Sequence, residues 1–335
     1  MTTALTTSLT MNPLVDRFGR TIEYLRLSVT DRCDLRCAYC IPEGFKDFEE
    51  PEHWLNFDEL ERLLGLFASL GMKRVRLTGG EPLLRRNVVD LCGRIAALPG
   101  IEDLSLSSNA TQLAKMAGDL KQAGVTRLNI SLDSLRPEVV EKINGRPVLD
   151  QVLDGLETAR AVGFAPIKVN MVVMQENADD IDTMVAYCME RGFVLRLIEL
   201  MPMGETARRM GYVDLQPVIA RLRQRFGLVD TLMPRGGGPA RYLGTPDGRF
   251  TVGFITPISQ HFCETCNRVR LTVDGVLHLC LGQEERMDFR VLMRAGASDA
   301  DLVDAIHRAI DMKPERHEFR EQPQKLVRFM SMTGG

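Results

Sequence analysis

The chain has 335 residues, enough for one large domain with a smaller one beside it. Hydrophobic residues make up 44% of the sequence and charged residues 26%, which is ordinary for a globular protein. The net charge of −3 argues against non-specific binding to nucleic acid or to an acidic membrane, and no apolar run approaches the roughly 20 residues that span a bilayer.

Residues 1–20 are expected to form an N-terminal arm, and they lack the basic and apolar regions of a secretory signal. We therefore expect a cytoplasmic protein. Residues 21–205 alternate short strands with longer helices. The predicted strands are 24–30, 74–80, 103–109, 127–133, 167–173 and 194–200, and the predicted helices are 58–70, 87–98, 112–123, 149–162 and 179–191. Six strands that alternate with helices predict a parallel sheet with right-handed crossovers.

Each predicted strand has one polar and one apolar face. In the first strand Arg26, Ser28 and Thr30 alternate with leucine and valine. The polar face continues with Arg74, Arg76, Thr78, Asp103, Ser105, Ser107, Asn109, Arg127, Asn129, Ser131, Asp133, Lys168, Asn170 and Arg196. Helices would cover the apolar face, which leaves the polar face inside. A closed eight-stranded barrel has an apolar interior, and a doubly wound sheet is apolar on both faces.

The pattern instead predicts an α/β fold, an incomplete (β/α)6 TIM-like barrel with a basic lumen suited to a large anionic ligand. An antiparallel sheet with one solvated face is the alternative. Residues 206–335 are loop-rich, with a predicted hairpin that turns at Asp274-Gly275 and a helix over 298–311. We expect this region to form a C-terminal domain that packs directly on the barrel.

Six of the eight cysteines fall into two groups of three, Cys33, Cys37 and Cys40, and then Cys263, Cys266 and Cys280. Cytoplasmic thiols stay reduced, so disulfides are not expected. The other two, Cys92 and Cys188, lie in predicted helices and are interpreted as inert core residues.

The first trio follows the first strand with the spacing Cys-x3-Cys-x2-Cys. Three thiolates can hold three irons of a 4Fe–4S cluster and leave the fourth iron open. A zinc site completed by His53 is the alternative.

The second trio belongs to the hairpin. A two-residue turn at Asp274-Gly275 would place Cys280 opposite Val269 and beside the Cys263/Cys266 pair. In that register Arg268 and Arg270 point away from Cys280, unless a bulge shifts the pairing. His261 and His278 could complete a zinc site instead of a cluster.

Several motifs occur in a fixed order along nearly the whole chain: DRFGR, LRLSVTDRCDLRCAYC, RLTGGEPLLR, NISLDSL, RLIELMPMG, CETCNRVRLTVDG and the terminal MSMTGG. In these motifs the chain resembles the GTP 3′,8-cyclase family, radical S-adenosylmethionine enzymes of molybdenum cofactor biosynthesis. The resemblance implies two 4Fe–4S clusters, one on each trio, and S-adenosylmethionine as cofactor on the first. The open iron of the second cluster would bind the purine of GTP.

The resemblance also implies roles for single residues. The S-adenosylmethionine contacts would be Tyr39, Gly80, Ser131 and Met201. The GTP contacts would be Arg26, Arg76, Ser107, Lys168, Arg268 and Arg270, with Ser107 where the family commonly has threonine. Gly334 and Gly335 would form a catalytic tail that reaches the active site.

The implied reaction converts GTP to (8S)-3′,8-cyclo-7,8-dihydroguanosine 5′-triphosphate. A 5′-deoxyadenosyl radical takes hydrogen from ribose C3′, and the resulting carbon radical attacks guanine C8. The product would pass to cyclic pyranopterin monophosphate synthase, and a reducing donor such as flavodoxin would supply the electron. We expect a homodimer and no nucleic-acid or membrane partner. Two alternatives remain open at this point, a peptide-modifying radical enzyme with an auxiliary cluster and a zinc-stabilised binding module without catalysis.

Overall fold

The computed structural model describes residues 13–41, 53–203, 207–232, 237–319, 321, 328 and 330–334. Its first six strands are β1 Tyr24–Ser28, β2 Arg74–Thr78, β3 Asp103–Ser108, β4 Arg127–Ser131, β5 Ile167–Val173 and β6 Val194–Glu199. Each begins at the residue that the alternating pattern predicts. All neighbours from β1 to β6 pair in parallel. The parallel pairing excludes the antiparallel alternative.

Amphipathic helices follow the strands: α1 Phe57–Ser69, α2 Val88–Ala96, α3 Leu113–Gln122, α4 Pro137–Asn144, α5 Leu149–Ala161 and α6 Ile181–Arg191. The α4 helix was not predicted, because its eight residues are too few to show a clear period. Its ends are nevertheless marked, by Pro137 in the first turn and by Gly145 at φ +73° just after the last.

The C-terminal region adds strands to both edges of the same sheet. These strands are β7 Val229–Thr231, β8 Arg241–Gly244, β9 Thr251–Ile255, β10 Arg268–Leu271, β11 Val276–His278 and β12 Arg286–Asp288. The order is β12-β11-β10-β1-β2-β3-β4-β5-β6-β9-β8-β7, with β10 parallel to β1 and β9 parallel to β6. The sheet is therefore open, and the prediction of an incomplete barrel is confirmed.

The remaining α-helices that lie wholly within the described residues are α7 Leu215–Phe226, α8 Phe289–Arg294, α9 Asp299–Asp311 and α10 Met330–Thr333. The α9 helix matches the predicted C-terminal helix. The Ser298 hydroxyl caps it by accepting from the Asp301 backbone N–H. No helix among the described residues is long and apolar enough to cross a membrane.

The predicted register of the β10–β11 hairpin was wrong by one residue. Arg270 pairs with His278 and Leu271 with Leu277, so Cys280 would oppose Arg268 rather than Val269. The cause is a three-residue loop that closes with Gly275 at φ +84°. The shift places the side chains of Arg268, Arg270 and Cys280 on one face.

The two faces of the central strands separate as predicted. The apolar face packs under the helices, where Cys92 and Cys188 are fully buried, as expected of core residues. The polar face is in register across the barrel. Arg270, Arg26, Arg76, Ser105 and Arg127 lie side by side on five neighbouring strands.

Residues 1–12 of the expected arm lie outside the described residues, whereas residues 13–20 pack on the body. Arg20 is buried and forms an ion pair with Asp16. The Arg20 guanidinium also donates to the carbonyl oxygens of Cys263 (2.9 Å), Pro314 (2.7 Å) and Glu315 (2.7 Å). Through Arg20, the DRFGR motif thus holds residues 16–20 against the loop that carries Cys263.

Candidate active site

The two cysteine trios lie at opposite ends of the barrel lumen. The first trio follows the carboxyl end of β1. The second adjoins its amino end, because Tyr24 of β1 pairs with Arg268, two residues after Cys266. Five strand residues separate these levels, a rise of roughly 15 Å.

The first trio shares one cavity with every residue predicted to bind S-adenosylmethionine. The lining includes Cys33, Cys37, Cys40, Tyr39, Gly80, Ser131 and Met201. Burial raises the pKa of Cys33 and of Cys40 to about 12, and it also raises the pKa of Cys37. Side-chain amides approach two of the sulfurs. Asn109 Nδ2 lies 3.7 Å from the Cys33 sulfur, and the Cys37 sulfur lies 3.4 Å from Asn144 Oδ1.

The Gly79-Gly80 pair brings β2 against the chain that leads into the first trio. A Cβ on Gly79 would lie 2.2 Å from the Thr30 carbonyl oxygen, and one on Gly80 would lie 2.1 Å from that of Arg32. The Gly80 N–H donates to Thr30 O at 2.8 Å. These glycines therefore allow two segments of the chain to approach each other, in addition to exposing backbone to the cavity.

Two buried carboxylates support the first cavity. Asp133 accepts from the Tyr39 hydroxyl (2.9 Å) and the Val172 N–H (2.8 Å), and burial raises its pKa to about 6. Glu81 accepts from the Asn109 N–H (2.6 Å), and burial raises its pKa to about 7. Asp133 was predicted only to face the lumen, and the strand pattern contained no signal for its contact with Tyr39.

The second trio lines a separate cavity with Arg26, Arg76, Arg268 and Arg270, four of the predicted GTP contacts. Neither His261 nor His278, the two candidates for completing a zinc site, lines this cavity, although His317 does. The His278 ring contacts Arg328 (2.7 Å) and lines another cavity, and His261 is exposed and pairs with Glu264 (3.3 Å).

A buried lysine supports the second trio from behind. Lys313 Nζ donates to the carbonyl oxygens of Arg268 (3.0 Å) and Leu279 (2.5 Å), which joins the two arms of the hairpin beyond their last paired residues. Burial raises the pKa of Cys266, but Lys313 and Arg268 outweigh it, and the pKa falls to about 7. Sequence reasoning missed Lys313, since a lysine after a helix normally faces solvent.

Among the described residues, the lumen contains six buried basic side chains, Arg26, Arg76, Arg127, Lys168, Arg196 and Arg270. Burial and the neighbouring arginines lower the pKa of Lys168 to about 7, and burial lowers that of Arg196 to about 10. Asp103 neutralises Arg127, but Arg26 Nε and Nη2 are buried and have no hydrogen-bond partner within the described residues. The excess of buried positive charge therefore makes the lumen a favourable binding site for an anion.

Two predicted GTP contacts lie away from the cavity of the second trio. Ser107 lines the first cavity, and its hydroxyl has no partner among the residues described. Lys168 lines a different cavity, with Arg196 and Tyr242, at the end of the lumen where the parallel strands begin. Arg74, inferred from strand parity, forms an ion pair with Glu23.

The C-terminal tail lies between the two cavities. Met330, together with Met201, lines both of them. Arg270 Nη1 donates to the carbonyl oxygens of Thr333 (3.2 Å) and Gly334. Gly334 has φ +74°, and a Cβ there would lie 2.2 Å from Thr78 Cγ2. Gly335 lies outside the described residues.

Both trios are compatible with a 4Fe–4S cluster. Across the described residues, no three His, Cys, Asp or Glu side chains are placed to hold a single metal ion. A cluster instead takes each thiolate on a different iron, and in both places the three sulfurs face one shared cavity. Arg26 and Arg268 line the cavity of the second trio, and each has a buried guanidinium nitrogen without a hydrogen-bond partner among the described residues, which suits an anionic ligand beside the cluster.

Two family models match the chain. The Radical SAM superfamily model matches residues 27–188, and the Molybdenum Cofactor Synthesis C model matches residues 193–319. Among solved structures, SuiB of Streptococcus suis bound to S-adenosylmethionine has a TM-score of 0.61 at 15% identity, covering 85% of this chain and 68% of that chain. This likeness shows a shared fold.

Curated relatives match over almost their whole length. GTP 3′,8-cyclase 1 of Pseudomonas aeruginosa is 45% identical, covering 97% of this chain and 100% of the relative. The GTP 3′,8-cyclases of Bradyrhizobium diazoefficiens and Paracoccus denitrificans are 46% and 43% identical, each covering 96% of both chains. The chain therefore belongs to the GTP 3′,8-cyclase family of the radical S-adenosylmethionine superfamily.

Proposed function

We propose that this chain converts GTP to (8S)-3′,8-cyclo-7,8-dihydroguanosine 5′-triphosphate, the first step of molybdenum cofactor biosynthesis. The observation that carries the proposal is the basic lumen between two three-cysteine sites. A cluster on Cys33, Cys37 and Cys40 would supply the electron that cleaves S-adenosylmethionine to a 5′-deoxyadenosyl radical. The chain's own residues bind and orient both reactants.

The cofactor would lie in the first cavity, against Tyr39, Gly80, Ser131 and Met201. Asp133 holds the Tyr39 hydroxyl, so the ring that flanks Cys40 keeps one orientation. Asp133 lines this cavity, and its carboxylate places negative charge near a cofactor whose sulfonium is positive. Ser107, predicted to contact GTP, lines this cavity as well.

GTP would lie in the lumen. A triphosphate carries about four negative charges near neutral pH, and guanidinium groups bind phosphate oxygens through two parallel hydrogen bonds. Four arginines line this space, Arg26, Arg76, Arg268 and Arg270. Lys168 lies at the end of the lumen where the parallel strands begin. The purine would reach the second trio, with ribose C3′ directed along the lumen toward the first.

The Gly334-Gly335 tail would complete the site from the side of β2. The contact of Gly334 with Thr78, where a side chain has no room, supports this role. We expect that deletion of both glycines leaves iron content unchanged and abolishes the cyclised product. Retained product formation would show that the tail has no catalytic role.

Turnover under anaerobic conditions tests the proposed function. Reconstituted protein with GTP, S-adenosylmethionine and a strong reductant should yield 5′-deoxyadenosine and the cyclised nucleotide, detected by mass spectrometry. Protein with about eight irons per chain that forms neither compound would contradict it. About two zinc ions per chain instead would support a zinc-stabilised binding module.

Further expectations accompany this function. The product would pass to cyclic pyranopterin monophosphate synthase, and a donor such as flavodoxin would supply the electron. We also propose a cytoplasmic homodimer whose chain divides at about residue 205 into the barrel and a C-terminal cluster domain. The shared sheet implies that the two parts fold together.

A further inference from the structure

Tyr24 is a buried phenol whose hydroxyl no described residue satisfies. It is the first residue of β1, it is 2% exposed, and its side chain lines the cavity of the second trio. A buried hydroxyl without a partner is rare in a stable protein, because water is lost and nothing replaces it. The group therefore needs a ligand or a bound water inside this cavity.

The charges around Tyr24 show what kind of ligand satisfies it. The Arg76 guanidinium lies 5.4 Å from the ring centre, and Arg268 is the strand partner of Tyr24 on β10. Burial raises the pKa of the phenol, but Arg76 and Arg26 outweigh it and the pKa is lowered. Guanidinium groups only donate hydrogen bonds, so a group that satisfies all of these side chains at once must offer several acceptor oxygens and negative charge.

Phosphate oxygens meet both requirements. We infer that the Tyr24 hydroxyl donates a hydrogen bond to the triphosphate of the substrate and is a substrate-positioning residue beside the arginines. The inference rests on the proposed function for the identity of the nucleotide. It adds a neutral, directional donor to a set of cations, and a directional donor fixes the position of a phosphate group more narrowly than charge alone.

Tyr24→Phe tests this with little disturbance, because it removes one oxygen and keeps the ring. Tyr187→Phe is the matched control. The Tyr187 hydroxyl is also buried without a described partner, and Arg191 lies 4.9 Å from its ring, but it is on the outer helix α6. Iron content and thermal unfolding of both variants should match the parent protein.

Equilibrium binding of GTP and of inorganic triphosphate to the cluster-loaded protein, without S-adenosylmethionine, is the measurement. Tyr24→Phe should weaken both ligands about tenfold, and Tyr187→Phe should weaken neither. Unchanged binding of both ligands to Tyr24→Phe would overturn the inference. Weakened GTP binding with unchanged triphosphate binding would also overturn it, by assigning the hydroxyl to the nucleoside.

The same experiment separates this inference from the proposed function. Parent protein that binds inorganic triphosphate through Tyr24 but does not bind GTP would contradict the proposed substrate and leave the phosphate contact standing. Parent protein that binds neither ligand would contradict both.

Discussion

The two cysteine trios have opposite electrostatic surroundings. Burial raises thiol pKa values at both, and those of Cys263 and Cys280 stay raised, but the charges nearest to Cys33 and to Cys266 differ in sign. At the first trio burial and the Glu81 carboxylate together raise the pKa of Cys33 to about 12. At the second trio Lys313 and Arg268 overcome the effect of burial and lower the pKa of Cys266 to about 7.

This difference matches the two ligands of the proposed reaction. A sulfonium cofactor is stabilised where carboxylates are near, and a nucleoside triphosphate is stabilised where arginines are near. In the proposed reaction, one lumen would thus hold a cationic and an anionic reactant at opposite ends. The comparison predicts that changes at one end affect one ligand and spare the other.

The largest effect should come from removing one thiol at each end. Cys37→Ser should abolish formation of 5′-deoxyadenosine, because the first cluster is lost. Cys266→Ser should retain cleavage of S-adenosylmethionine and lose the cyclised nucleotide. Iron analysis should show about four irons in each variant against about eight in the parent. If Cys266→Ser no longer cleaved S-adenosylmethionine, the assignment of the cofactor to one end of the lumen and GTP to the other would be contradicted.

A smaller effect should follow from removing one lumen cation. Arg26→Met removes a buried guanidinium whose Nε and Nη2 have no hydrogen-bond partner among the residues described. We expect the KM for GTP to rise about thirtyfold, from loss of about 2 kcal/mol of charge-assisted hydrogen bonding, with the KM for S-adenosylmethionine unchanged. Arg249→Met is the control, since that side chain is 86% exposed on the surface. Equal effects on both KM values would contradict the separation of the two ligands between the ends of the lumen.

A still smaller effect is expected at Lys313. Within the part of the chain described, its ammonium contacts backbone carbonyls and has no carboxylate partner. Lys313→Met should lower the reduction potential of the second cluster by about 60 mV, a tenfold change for a one-electron couple, and leave the first unchanged. Lys313→Arg should retain the parent potential. Titration followed by electron paramagnetic resonance measures both clusters, and an unchanged potential in Lys313→Met would exclude the charge effect.

The strand pattern predicted the barrel and the contents of its lumen because alternation depends only on local sequence. Arg26, Arg76 and Arg196 could be assigned to the lumen by parity alone. The predicted register of the β10–β11 hairpin was wrong by one residue, since the Asp274-Gly275 signal does not distinguish a two-residue turn from a three-residue loop. The β7–β9 strands were missed because they are short and sit among loop-forming residues.

Contacts between distant parts of the chain could not be predicted. Arg20 and Lys313 both bind backbone carbonyl oxygens near the second trio. Every residue has such a carbonyl, so the sequence does not indicate which ones a buried cation will bind. The Asp133–Tyr39 hydrogen bond joins residues 94 positions apart, on different elements. Such residues become visible only when the fold brings their elements together.

The central claim is that the lumen directs ribose C3′ of GTP toward the first trio. GTP deuterated at C3′ tests it most directly, by mass spectrometry of the 5′-deoxyadenosine formed during anaerobic turnover. This 5′-deoxyadenosine should carry one deuterium and appear together with the cyclised nucleotide. Cyclised nucleotide accompanied by unlabelled 5′-deoxyadenosine would contradict it.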